Sequence, residues 1–297
     1  MQHSFSIPQS GLALWYNAFS TKGANTLTLG DIVTLAIIQG LTEFLPVSSS
    51  GHLVLGQHIL RVQAPGVALE VALHLGTLLS VFIVFARDIN QLLVACFSFF
   101  GYRPSGMQDA EVKLYQRLVL LLVLASVPTG LIGIGLKEVF VALFSAPRFV
   151  GFALIVTGVV LLVVSRLRGT KTLRAMSIRD ALAVGLAQGL AITPGISRSG
   201  LTISTGLFLG YDRETATRFS FLLSIPAIVG ASLLEARALL GVGLEVPLSW
   251  IAVGVLVSAL TGVFAILGLV QVLRRGKLSY FAYYVWAVGI LTMLLVR

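Results

Sequence analysis

QGLTEFLPVSSSG, Gln39 to Gly51, and QGLAITPGISRSG, Gln188 to Gly200, are one motif written twice, 149 residues apart. Aligned without gaps, the copies agree at Gln39/Gln188, Gly40/Gly189, Leu41/Leu190, Ser48/Ser197, Ser50/Ser199 and Gly51/Gly200, and each carries a proline ahead of its serines. They differ where chemistry would require it: Glu43 faces Ile192, Ser49 faces Arg198 and His52 faces Leu201. In both, an apolar helical stretch meets a Pro/Gly/Ser break (Pro46 to Gly51; Pro194 to Gly200) and a second short apolar stretch follows.

The surrounding chain belongs in a bilayer. Of its 297 residues 57% are hydrophobic and 11% charged, with a mean hydropathy of +0.95; in soluble domains charged residues alone make up about 25%. A net charge of +9 would suggest nucleic acid in a soluble protein. Here the basic residues lie between apolar runs, so the charge reads as membrane topology and no nucleic-acid partner is expected. The single cysteine, Cys96, builds no disulfide framework. Residues 1–30 lack the pattern of a signal peptide and read as an N-terminal extension, with Trp15, Tyr16 and Phe19 placed at the membrane interface. Residues 31–297 read as a single integral membrane domain.

Crossing about 30 Å of hydrocarbon takes roughly 20 helical residues. Runs of that kind fall near 68–86, 118–136, 149–166, 217–235, 249–273 and 278–296, with 87–117 read as a loop. Each motif half is too short to cross alone. Irregular backbone survives at membrane depth only where protein or a water-filled cavity satisfies it, so the motifs predict two re-entrant helical hairpins. The expected fold is an all-α polytopic membrane protein: six transmembrane helices plus two hairpins, ordered hairpin and three spans, twice. Three crossings per copy is odd, so the copies, 31–166 and 178–297, form an inverted repeat. Fourteen basic residues, among them Arg166, Arg168, Arg213, Arg274 and Arg275, fall on one face against six on the other. That bias puts the first face in the cytoplasm, with both termini and the mouth of the first hairpin outside.

The residues able to do chemistry cluster in the motifs. Gln39 and Glu43 are four apart and share a helix face; an ionisable group at membrane depth usually faces a cavity or a partner. Ser48, Ser49 and Ser50 suit an N-cap as well as a site, and His52 follows them. Arg198, flanked by Ser197, Ser199 and Gly200, needs an anion: a bound phosphate gripped by its planar fork and by amides at the helix start near Gly200, or Glu43 in an internal salt bridge that substrate could displace. Glu70 and His74, again four apart, form either an interior pair or an outer shell of the site. His58 reads as interfacial and His3 as uninformative. A carboxylate, a serine, a histidine and an arginine can together perform phosphoryl transfer. A divalent cation, Mg2+ or Ca2+, would come with a diphosphate, with Glu43 its best protein ligand and Gln39 a weaker one.

At these residues the chain resembles undecaprenyl-diphosphate phosphatase, the bacitracin-resistance family of bacterial membrane proteins. The resemblance is carried by Gln39, Glu43 and Pro46 to His52, by Pro194 to Thr202, and by the stretches Glu70 to Thr77 and Arg218 to Gly230. It implies removal of the terminal phosphate from undecaprenyl diphosphate, in a bacterial plasma membrane, at a site opening to the outer face. It implies catalytic roles for Glu43, Ser49, His52 and Arg198, with Gln39, Ser48, Ser50, Ser197, Ser199, Gly200 and Thr202 as substrate-binding positions. Gln39 stands where many members have glutamate, and it can neither carry a proton nor ligate a metal as an anion. The partners expected are a polyprenyl diphosphate lipid and membrane lipids, and a homodimer is compatible with them.

A secondary transporter is the competing class, because inverted repeats with broken helices are also the architecture of alternating access. The serine, histidine and glutamate occur in one copy only, an asymmetry that binding alone does not need. A type 2 phosphatidic acid phosphatase would require a further histidine, and none follows His74.

Overall fold

The computed structural model describes residues 27–60, 66–102, 108–238 and 246–295. The proposed interfacial aromatics Trp15, Tyr16 and Phe19 and residue His3 therefore lie outside the described residues, as does the side chain of His58. The described chain is all-helical, with one isolated bridge between Lys171 and Tyr211 and no strand. Its helices are α1 (Leu29–Phe44), α2 (Ser49–Leu60), α3 (Gly66–Val84), α4 (Ala86–Ser98), α5 (Asp109–Gly135), α6 (Lys137–Phe144), α7 (Pro147–Ser165), α8 (Ile178–Leu190), α9 (Arg198–Phe208), α10 (Arg213–Ala238), α11 (Leu248–Arg274) and α12 (Ser279–Leu295).

By length and apolar character α5, α7, α10 and α11 can each cross a membrane. A fifth span arises if α3 and α4, bent by 87° at their junction, count as one, and α12 is a shorter apolar helix. The expected loop at 87–117 is corrected here: α4 occupies its first part, and α5 begins at Asp109 rather than near 118. Helix α4 is amphipathic. It buries Gln91 and Ala95 and exposes Leu93 and Phe97. Its polar face is tied down by Gln91 Nε2 donating to Glu111 Oε1 at 2.9 Å and by an ion pair of Asp88 with Arg218. A search for unbroken apolar runs passes over such a helix, and it also passes over the eight-residue α6.

The two motif segments do fold as helix, break, helix. Each is entered through a capping box: Thr28 with Asp31 at the start of α1, and Ser177 with Asp180 at the start of α8. In both, the hydroxyl accepts the N3 amide and the carboxylate returns to the cap amide, satisfying two orphan donors. Helix α1 packs on α11, and α8 packs on α5. Contact is close because glycine sits at each crossing: a Cβ on Gly40 would meet the carbonyl of Ser258 at 2.6 Å and would collide with Thr261. The main buried core, with Phe44, Phe219, Phe221, Leu222 and Ile266 enclosed, takes in Phe44 from α1 and Ile203 and Leu207 from α9, next to the two breaks.

Candidate active site

The tips meet. Ser199 Oγ of the second hairpin donates to the carbonyl of Leu45 in the first at 3.1 Å, and Arg198 Nη2 reaches Glu43 Oε1 at 2.6 Å. Glu43 stands on the last turn of α1, 8% exposed, and Arg198 is the first residue of α9. A charge-assisted bond this short in a buried place is strong, and either charge left alone there would be costly.

The other oxygen of Glu43 is equally engaged. Ser49 Oγ donates to Oε2 at 2.7 Å, Gln39 Nε2 donates to it at 3.0 Å, and His74 Nε2 lies 4.0 Å away. Glu43 therefore gathers a serine, an amide, an arginine and an imidazole. Of the pair Glu70 and His74, the histidine approaches Glu43: His74 Nδ1 donates to the carbonyl of Glu70 at 2.8 Å, which leaves Nε2 directed at Glu43. Gln57 Nε2 donates to Glu70 Oε1 at 3.4 Å, and Glu235 of α10 lies within electrostatic reach of His74. Glu235 carries no motif, and the signal for it was an acid at the end of an otherwise apolar run.

Two polar atoms in the cluster are buried without a protein partner, Arg198 Nη1 and Gln39 Oε1. Each such group costs about 1–3 kcal/mol unless something pairs with it, and native proteins keep few of them. A donor and an acceptor, both unsatisfied and both beside Glu43, suit a ligand that presents oxygen to the arginine and positive charge to the amide oxygen.

The remaining motif residues divide between scaffold and rim. Ser48 is the only described non-glycine residue with positive φ, at 70°. Its Oγ accepts from Gly51 N at 3.4 Å and lies 3.2 Å from Ser50 Oγ. Ser197 repeats this as the N-cap of α9, accepting from Gly200 N at 3.1 Å and lying 3.3 Å from Ser199 Oγ. Thr202 turns away from Glu43 toward Ser220, with 2.6 Å between hydroxyls. His52 turns away as well. Its Nδ1 donates to the carbonyl of Ser48 at 2.8 Å, its Nε2 sits 2.9 Å from the Tyr284 hydroxyl, and the two rings stack. Tyr284, on α12, was not visible from the sequence, because nothing in the motif points to a residue 232 positions later.

For a divalent cation the donor set is thin. Among the described residues no three His, Cys, Asp or Glu side chains come together to hold a metal. Glu43 and the free Gln39 Oε1 fit a cation that takes its other ligands from a bound diphosphate and water, and do not form a cage of their own.

The chain matches the family described as bacitracin resistance protein BacA over residues 32–291. It is 44% identical over 271 residues to the undecaprenyl-diphosphatase of Alkaliphilus metalliredigens, covering 90% of this chain and 98% of that protein. It is 45% identical over 267 residues to the undecaprenyl-diphosphatase of Halothermothrix orenii (89% and 96% covered), and 46% identical over 267 residues to that of Desulfosudis oleivorans (88% and 96% covered). The hairpin cluster and nearly all of the described fold fall within the matched region, and the chain belongs to the bacitracin resistance protein BacA family.

Proposed function

We propose that this protein hydrolyses undecaprenyl diphosphate to undecaprenyl phosphate and inorganic phosphate, returning the lipid carrier to envelope synthesis and thereby conferring bacitracin resistance. The observation that carries the reading is the bond from Arg198 to Glu43 across the two hairpin tips, with Ser49 on the other carboxylate oxygen.

Ser49 and Glu43 stand as a nucleophile and its base. As Ser49 Oγ attacks the terminal phosphorus, its proton passes to Glu43 Oε2. The neutralised carboxyl then loosens its hold on Arg198, whose fork turns to the phosphoryl oxygens while Nη1 gains the partner it lacks. The anhydride P–O bond breaks, and undecaprenyl phosphate leaves with the electron pair and takes the proton from Glu43. The carboxylate, ionised again, then removes a proton from water as it attacks the phosphoserine, and returns that proton to Ser49 Oγ as phosphate leaves. His52 is fixed by Ser48 with its proton on Nδ1, so Nε2 accepts from Tyr284; it serves the substrate when Nε2 leaves Tyr284, takes a proton and donates it to a phosphate oxygen. A divalent cation, when bound at Glu43 and Gln39, would supply positive charge to the diphosphate.

The arrangement in the membrane belongs to the same proposal. Residues 31–166 and 178–297 are an inverted repeat, supported by the matching capping boxes and by the exchange of α1 on α11 for α8 on α5. Six spans result when α3 and α12 join the four long helices. Helix α4 lies in the interface plane, the hairpins re-enter, and the site opens outward with both termini outside.

Phosphate release from undecaprenyl diphosphate in detergent tests the reading. The wild type should release phosphate, and Glu43→Ala and Arg198→Ala, each shown to be folded, should not. Near-normal release by either variant overturns it. A transporter would bind the lipid and release nothing.

A further inference from the structure

Three of the helices able to cross a membrane end at one place. The last residue of α7 (Ser165), the first of α10 (Arg213) and the last of α11 (Arg274) border a cavity of about 730 Å³ lined also by Arg166, Arg168 and Arg275. Five arginines from three separate segments face one hollow at the level where the spans end.

Arg213 builds it. Its Nη1 donates to the carbonyl of Leu273 and its Nη2 to the carbonyl of Ser165, both at 3.2 Å, so one guanidinium caps the C-terminal ends of two helices. Gly276, with φ +73°, lets the chain pass this close: a Cβ there would meet Arg213 Nη1 at 2.7 Å. The other four arginines are exposed. Among the described residues the single carboxylate in ion-pair range of them is Glu214, 4.0 Å from Arg274, with both side chains more than two-thirds exposed and therefore weakly coupled. Topological charge bias calls for basic residues in the flanks of spans, not for their convergence on a concave, glycine-shaped hollow.

We infer that this cavity is a binding site for the phosphate-bearing headgroup of an anionic phospholipid, distinct from the hairpin site and independent of its chemistry. The donors are guanidinium forks, which match phosphate oxygens. The position at the common end of three spans is where a headgroup lies, and basic pockets between helix ends take anionic lipids in this way.

The test compares purified wild type with Arg166→Gln/Arg168→Gln and Arg274→Gln/Arg275→Gln, leaving Arg213 in place. Thermal unfolding is followed in detergent micelles with added phosphatidylglycerol, phosphatidylcholine or inorganic phosphate. Retained phosphate release from undecaprenyl diphosphate certifies that the variants are folded. Phosphatidylglycerol should raise the wild-type midpoint above that in phosphatidylcholine. Each double variant should bind phosphatidylglycerol more weakly, by roughly fivefold for each arginine removed, and lose most of the shift. Equal midpoints in the two lipids, or an undiminished shift in both variants, overturns the inference. A shift reproduced in full by inorganic phosphate assigns the cavity to the free ion and overturns the lipid.

Discussion

The hydroxyl of Tyr284 sits 2.9 Å from His52 Nε2, with the two rings nearly parallel at 9° and 5.5 Å between centroids. The carbonyl of Ser48 already holds Nδ1–H, so Nε2 is the one ring atom free to meet substrate, and Tyr284 occupies it. Tyr284→Phe keeps the stack and removes the hydroxyl. Its phosphate release at saturating lipid should change by about tenfold at most, the worth of one neutral hydrogen bond. His52→Ala should lose far more. A Phe variant as inactive as His52→Ala would show that the tyrosine hydroxyl itself acts on the substrate.

Arg198→Lys preserves the charge and discards the fork. The ammonium can still pair with Glu43, so the fold should survive, but it cannot hold carboxylate and phosphoryl oxygens in turn. We expect kcat/KM to fall by at least about a hundredfold, as when a positioned transition-state donor is lost. Glu43→Ala should be worse in a second respect, costing stability of about 3–5 kcal/mol by leaving Arg198 buried without its anion. Thermal unfolding beside the kinetics separates the two effects.

Gln39→Glu places a second carboxylate beside Glu43 and deletes the 3.0 Å bond between them. Activity titrated with Mg2+ or Ca2+ after chelation should then half-saturate at about tenfold lower cation, because charge count at oxygen sites tunes affinity. An unchanged titration would detach Gln39 from any cation.

Gly40→Ala drives a methyl into Thr261 and the carbonyl of Ser258, where α1 crosses α11. Overpacking of this kind costs about 1–3 kcal/mol, so the unfolding midpoint should drop. An unaltered midpoint contradicts so tight a crossing.

Membrane orientation can be read with an impermeant maleimide. Cys96 is the only cysteine, so a Cys96→Ser background is blank. In intact cells Glu138→Cys should label and Lys277→Cys should not; the reverse pattern inverts the proposed topology.

What the sequence made legible followed from its own redundancy. Two copies of one motif exposed the hairpins, and the mismatched positions singled out Glu43, Ser49 and Arg198, which the fold joins within hydrogen-bonding distance. Gln39 belonged with them because i and i+4 share a helix face. Partners from distant helices were harder to see. Tyr284 and Glu235 reach the cluster's surroundings only through packing of α12 and α10, which no local spacing encodes. The direction in which His52 points depends on Ser48, whose positive φ cannot be read from a serine. Helix α4 was hidden because its polar face breaks the apolar run that marks a span.

The partners in the bond from Arg198 to Glu43 are 155 residues apart in the chain. During synthesis the first hairpin is made with its acid long before the arginine exists, so Glu43 has only its first-half neighbours Gln39, Ser49 and His74 until then. A chain that stops short of Arg198 leaves Glu43 to take up a proton, since a buried carboxylate without its cation neutralises. The bond therefore closes only in a molecule whose second half has been made and packed against the first.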